Sequence, residues 1–307
     1  MGGWLKAADL FFAARPMLHI PVWSTYLVCL HYHNQLSGER LGWWDLLMLL
    51  CLSLMTAGSY WWNQVYDFES DQANNKLGFL QRGLLTRTEL TAAFLICSLL
   101  GLAVTPLYSV LVFAIFAQAF FLSFAYSAPP LRLKDRPLWG LFANAWGVGF
   151  LVPLCVMPEL TVHNAGLLGW DNPGYFFLAV ASIYLLTTVP DRAGDELAGK
   201  RTIAVVFGSR VVLIVALALA LLSALVAYRS GFILLCRLSL MSGLLAVAAL
   251  AFRSERVTLV AAKTPILLLA LLSGYFYPEY LLFIIVLIAA TRIYYARRFK
   301  MSYPRLT

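Results

Sequence analysis

Apolar runs follow one another along almost the whole chain, and many approach or exceed the ~18 residues that mark a membrane-spanning helix. They fall at about 16–33, 44–64, 88–106, 107–127, 138–157, 173–190, 211–228, 231–252, 258–276 and 279–296. Only 12% of the 307 residues are charged and 61% are hydrophobic, whereas a soluble domain carries roughly 25% charged residues. The expected fold is therefore all-α, a polytopic bundle of membrane helices. No low-complexity linker interrupts the runs, so residues 1–307 read as one integral-membrane domain. Arg15 and Pro16 break the first run and no small-x-small site follows, which argues against a cleavable leader.

Two runs end in acidic residues. The stretch Trp61–Asp71, WWNQVYDFESD, places Asn63, Asp67 and Asp71 four apart. On a helix these positions share roughly one face. Like charges at that spacing repel. A hard divalent cation turns the repulsion into coordination, and Mg²⁺ takes one or two carboxylates plus phosphate oxygens. The run 173–190 ends in DRAGDELAGKRT, with Asp191 and Asp195 again four apart. Pro190 suits the first turn of a helix starting there, where its missing N–H costs nothing. Either cluster alone is equally well a solvated helix end; two in equivalent positions point to joint chemistry.

Numbering the loops alternately puts nearly all Lys and Arg on the side of the N-terminus, leaving Arg40 and Arg229 opposite. That asymmetry makes the first side cytoplasmic and favours an even number of spans. Both acidic clusters fall on it. The net charge of +8 then belongs to cytoplasmic loops rather than to a nucleic-acid surface. Cys29, Cys51, Cys97, Cys155 and Cys236 stand singly in apolar runs and read as small core residues. Gln118 and Asn144, inside apolar runs, read equally well as cavity lining or as interhelical hydrogen-bonders.

The loops supply cations. YSAPPLRLKDRP ends the fourth run, because Pro129 and Pro130 stop a helix. Arg132, Lys134 and Arg136 follow, either as a positive-inside anchor or as counter-charges for an organic phosphate. The loop after the first acidic cluster carries Lys76 and Arg82 and is apolar enough to cap a site. It ends in Thr86-Arg-Thr-Glu89, an N-cap for the third run. No nucleophilic triad, zinc spacing or glycine-rich nucleotide loop accompanies these groups. Acids, cations and greasy helices together suit an anionic head group on a hydrocarbon tail.

At these residues a resemblance becomes specific. Asn63–Asp71 resembles the first aspartate-rich motif of the UbiA superfamily of intramembrane prenyltransferases, and Asp191–Thr202 resembles the second. Tyr126–Lys134 is similar to the segment between them, and Arg15-Pro16 to the start of that family. The motifs stand in the family's order from Arg15 to Gly208, and the C-terminal third matches only as apolar helices. The resemblance implies a bundle of nine to ten transmembrane helices around a central cavity in the cell (inner) membrane. It implies Mg²⁺ dependence and transfer of a polyprenyl group from a polyprenyl diphosphate to an aromatic or lipid acceptor. By motif position Asn63, Asp67, Asp71, Asp191 and Asp195 would hold Mg²⁺ and diphosphate. Arg15, Lys76, Arg82, Arg132, Lys134 and Lys200 would contact diphosphate oxygens, and Tyr126 would face the reacting carbon or the acceptor. Gln64 stands where the family often has Asp, and ten runs stand where it usually has nine helices. A terpene cyclase on the same scaffold is the nearest alternative. A cation-coupled transporter is the alternative from another class, although the acids cluster at one membrane face rather than at midspan.

Overall fold

The structure, a computed structural model, describes residues 3–38, 40–73, 78–156 and 171–303. These residues form helices and no strand. In chain order they are α1 (Gly3–Ala13), α2 (Ile20–Ser37), α3 (Trp43–Ala73), α4 (Arg87–Val104), α5 (Val110–Ser127), α6 (Pro137–Leu154), α7 (Asp171–Leu197), α8 (Ile203–Phe207), α9 (Ser209–Arg229), α10 (Ile233–Phe252), α11 (Glu255–Phe276) and α12 (Pro278–Phe299). Among the described residues nine helices are long and apolar enough to cross a membrane: α3 to α7 and α9 to α12.

The breaks at Pro106 and Pro278 are real. A short turn, Thr105–Leu107, separates α4 from α5, and Tyr277 separates α11 from α12. The four C-terminal runs are thus four helices. The first apolar run is the one that falls short of a span by composition. Its helix, α2, carries His31, His33, Asn34 and Gln35 near its end. It tolerates polar groups because protein surrounds it. Tyr26, Val28, Cys29 and Leu30 are fully buried. Trp23 Nε1 donates to Ser53 Oγ on α3 at 2.8 Å, Ser24 Oγ meets the Tyr280 hydroxyl at 2.9 Å, and Ser273 Oγ donates to the Ser24 carbonyl at 3.1 Å. In lipid a helix must satisfy its polar groups within the protein, and α2 does so against α3, α11 and α12.

Local rules account for several helix ends. Thr86 and Glu89 form the reciprocal capping box at the start of α4. The α2 C-terminus is closed by Gly38 at φ 75, whose N–H donates to the Asn34 carbonyl. α6 widens into a π-helical stretch at Ala145–Leu151, a distortion that tends to mark functional positions. Gly149 in that stretch lets two backbones meet, for a Cβ there would lie 2.5 Å from the Phe176 carbonyl oxygen of α7.

Pro190 departs from expectation. It lies inside α7, which continues unbroken to Leu197, so Asp191 and Asp195 extend the membrane helix rather than open a new one. The hydroxyls of Thr187 and Thr188 bond back to the Tyr184 and Leu185 carbonyls, whereas the carbonyl that the proline leaves without an N–H donor is that of Leu186. The ends of the described chain are tied together. Asp9 on α1 is wholly buried and accepts from Arg298 Nε at 3.0 Å, from an Arg298 terminal nitrogen at 2.8 Å and from the Tyr294 hydroxyl at 2.5 Å. All five cysteines are free.

Candidate functional site

α3 runs past Asp71 to Ala73, so Asn63, Asp67 and Asp71 do project from one face of one helix. Asn63 and Asp67 meet a partner from the next hairpin. α5 ends at Ser127, ahead of the two prolines, and the chain turns through Leu133–Asp135 before α6. This turn places Lys134 Nζ 2.5 Å from Asp67 Oδ1. The pair is largely enclosed, with 9% of the lysine and 17% of the aspartate side chain exposed. Burial pulls the Lys134 ammonium below the ordinary lysine range, and Asp67 pulls it back up. With its amide oriented to satisfy both ends, Asn63 donates to Asp67 Oδ2 at 2.7 Å and accepts from Lys134 Nζ and Ser127 Oγ at 3.2 Å each. Asp71, one turn on, is half-buried.

Two tyrosines bring together α5 and α7, the helix that carries the second acidic cluster. Tyr126 on α5 and Tyr184 on α7 bring their hydroxyls near one another. Asn144 Nδ2, from α6, donates to the Tyr126 hydroxyl at 3.2 Å and to the Gly140 carbonyl at 2.9 Å. Asp191 and Asp195 follow Tyr184 by seven and eleven residues, close to two and three helical turns, so they share its face. Tyr184 lies in the field of Asp195, and Tyr126 in that of Asp67. Gly140 makes the junction possible: a Cβ there would stand 2.7 Å from the Tyr184 hydroxyl. Asp191 is exposed, whereas Asp195 is half-buried with Lys200 Nζ 3.8 Å from its Oδ1.

Other cations have contacts of their own. Arg132 Nε pairs with Asp135 at 2.7 Å, and the Arg82 guanidinium lies over the Phe299 ring at 4.5 Å. Arg15, held left-handed at φ 53, lies in the field of Tyr60, Tyr295 and Tyr303. Lys76 falls outside the described residues.

Below Asn63 a cavity of about 360 Å³ opens between α2, α3, α5 and α6. Val22, Leu52, Met55, Leu122, Val148 and Val152 give it apolar walls, and Asn63, Tyr126 and Asn144 stand at its polar end. Ser59 and Ser123 face it too, but their hydroxyls bond each other and the helix carbonyls of Met55 and Ala119. A greasy chain could lie in the cavity with its polar end among the acids and Lys134.

Three residues carry roles that spacing did not reveal. Gln64, at the position where the resembled family often has Asp, is buried and donates to the Ala13 and Tyr60 carbonyls at 2.7 and 3.1 Å. It pins α3 to α1 instead of serving the site. Asn144 both lines the cavity and bonds across helices, while Gln118 is exposed. Tyr184 was hidden within an apolar run, and its one signal is its helical register with Asp191 and Asp195.

The donor set suits a hard cation: one amide oxygen and four carboxylates. Among the described residues no three His, Cys, Asp or Glu side chains cluster to hold an ion by themselves. That is compatible with Mg²⁺, which keeps waters and fills its shell with one or two carboxylates and substrate phosphates.

The model of the UbiA prenyltransferase family matches residues 22–264. A lycopene elongase/hydratase of Haloferax volcanii is 32% identical over 158 residues, which is 48% of this chain and 48% of that protein. The chain thus spans about half the length of that relative. A lycopene elongase/hydratase of Halobacterium salinarum is 28% identical over 240 residues, 74% of this chain and 82% of that one. The fold is similar to that of a UbiA homolog from Archaeoglobus fulgidus solved with DMAPP and Mg²⁺. Its TM-score is 0.67 at 19% identity, covering 85% of this chain and 97% of the other.

Proposed function

The chain belongs to the UbiA prenyltransferase family, and from that premise we propose that it transfers a prenyl group from an allylic polyprenyl diphosphate to a lipid or aromatic acceptor, with Mg²⁺. The observation that carries this reading is the enclosed Asp67–Lys134 pair, joined by hydrogen bonds to Asn63 at the polar end of an apolar cavity. The second carboxylate pair shares the face of Tyr184, which stands near Tyr126. The names of the relatives support it, since lycopene elongation is extension of an isoprenoid lipid, and a homolog was solved with DMAPP and Mg²⁺.

Asn63, Asp67, Asp71, Asp191 and Asp195 would hold the metal, which when bound would neutralise the diphosphate and make it a better leaving group. Lys134 contributes a positive charge at the same place, and Lys200 stands beside Asp195. The allylic C–O bond breaks, and its electron pair leaves on the diphosphate. A π-electron pair of the acceptor forms the new C–C bond, after which the acceptor loses a proton. The apolar cavity walls keep water from the allylic cation, and Tyr126 faces it. The domain lies in the cell membrane with its acidic mouth and N-terminus in the cytoplasm, as the loop charges favour.

The test follows diphosphate release by purified protein from geranylgeranyl diphosphate, with lycopene and phenolic acceptors in parallel. Mg²⁺-dependent release that requires one acceptor, with a product heavier by the prenyl group, supports the proposal. Release without acceptor, giving a cyclic hydrocarbon, replaces it with cyclase chemistry. Ion flux in vesicles without any release replaces it with transport.

A further inference from the structure

A second cavity, of about 800 Å³, lies between the ends of α7, α9, α10 and α11. It does not belong to the acidic site. Its α7 wall is formed by Val189, Arg192, Ala193 and Glu196, and on a helix turning 100° per residue these occupy a face turned away from Asp191 and Asp195. Three guanidiniums line it: Arg192, Arg210 and Arg253. Among the described residues none of the three is ion-paired, and Arg192 Nε is buried without a hydrogen-bond partner. Among the described residues Arg192 makes a long polar contact of 3.5 Å to Ser209 Oγ. Two carboxylates, Glu196 and Glu255, also line the cavity, leaving the group one positive charge in excess.

Buried polar nitrogens without partners are costly, and guanidinium forks match phosphate oxygens. Arg253 stands at the end of a helix. It closes α10 in the left-handed region at φ 49, where glycine would be the unstrained choice. The cavity also has an apolar side: Leu213, Ile214 and Leu250 continue its wall along the helices, and Ile214 is about half exposed on the outer surface. A basic head-group pocket that runs into an apolar groove between membrane helices fits a lipid carrying phosphate. We infer that this cavity binds the phosphate head group of an anionic phospholipid from the cytoplasmic leaflet, with its acyl chains along α9 and α10.

The experiment is native mass spectrometry of the purified protein after equilibration with equal amounts of phosphatidylglycerol and phosphatidylcholine. The expected result is about a tenfold excess of bound phosphatidylglycerol, abolished in the triple variant Arg192→Ala, Arg210→Ala, Arg253→Gly. The glycine relieves the left-handed strain, which protects the fold of that variant. Glu196→Gln with Glu255→Gln removes the competing carboxylates and should raise phosphatidylglycerol retention, while Arg256→Ala, outside the lining, should leave it unchanged. Equal retention of both lipids, or the same excess in the triple variant, would overturn the inference. Displacement of phosphatidylglycerol by an equal concentration of inorganic phosphate would overturn it too, as the ligand would then be free phosphate. None of these readouts depends on turnover.

Discussion

Lys134 Nζ stands 2.5 Å from Asp67 Oδ1, across 67 positions of sequence, and the amide of Asn63 bridges the two. The ammonium thus occupies the carboxylate that the proposed metal would need. Asp67 would exchange the lysine for a divalent cation, and Lys134 would then find new oxygens on a diphosphate. The expected role of Lys134 is to pass from Asp67 to substrate. Lys134→Met should therefore lower turnover by about 10²-fold, the usual effect of losing one electrostatic stabiliser of a leaving anion. It should also cost about 3 kcal/mol of stability or less, because Asp67 is left enclosed without its partner. Turnover and thermal unfolding of the variant, measured in one detergent, check both effects. Mg²⁺ should restore part of the lost stability, since it can replace the missing charge on Asp67.

Gly140 tests the tyrosine junction. Alanine in place of this helical glycine gains about 1 kcal/mol of helix propensity. Its Cβ would however reach within 2.7 Å of the Tyr184 hydroxyl. The tip of a tyrosine can move, so Gly140→Ala should leave the melting temperature within a few degrees of wild type, an effect of about 1 kcal/mol. Turnover should fall, because the displaced hydroxyl no longer meets Tyr126. Tyr184→Phe should reproduce that fall without the clash. A double-mutant cycle of Tyr184→Phe with Tyr126→Phe should show a coupling of about 1 kcal/mol, read from kcat/KM.

The Asp9 pair serves the fold instead. Its carboxylate has no exposed surface and takes three hydrogen bonds from α12. Arg298→Ala strands that charge and should destabilise by about 3–5 kcal/mol. Asp9→Asn should cost less, as a neutral amide tolerates burial better. In both variants the catalytic constants at low temperature should stay near wild type, because neither residue lies at the cavity mouth. Thermal unfolding followed alongside activity separates the two effects.

What could be read ahead from the residues divides along the range of the interactions. Helix-forming runs, the shared face of Asn63, Asp67 and Asp71, and the Thr86–Glu89 capping box are local, and each was legible. Pairing of Lys134 with Asp67, or of Tyr184 with Tyr126, depends on how α5, α6 and α7 pack, and no spacing encodes it. Gln64 looked like a lost ligand because type alone cannot tell a residue facing the cavity from one facing α1. Pro190 looked like a helix start because the rule for isolated helices ignores the packing of neighbouring helices. Composition alone leaves α2 short of a span, and its surroundings supply what its sequence lacks.

The measurement that bears most directly on the joint role of the two acidic clusters is Mg²⁺-dependent diphosphate release by Asp67→Asn and Asp191→Asn beside wild type. The expected result is release by wild type alone, abolished by chelation and restored by Mg²⁺, with each variant folded but slowed by about 10²-fold or more. Release at wild-type rates from either folded variant would contradict the claim that both carboxylate pairs serve one metal-bound diphosphate.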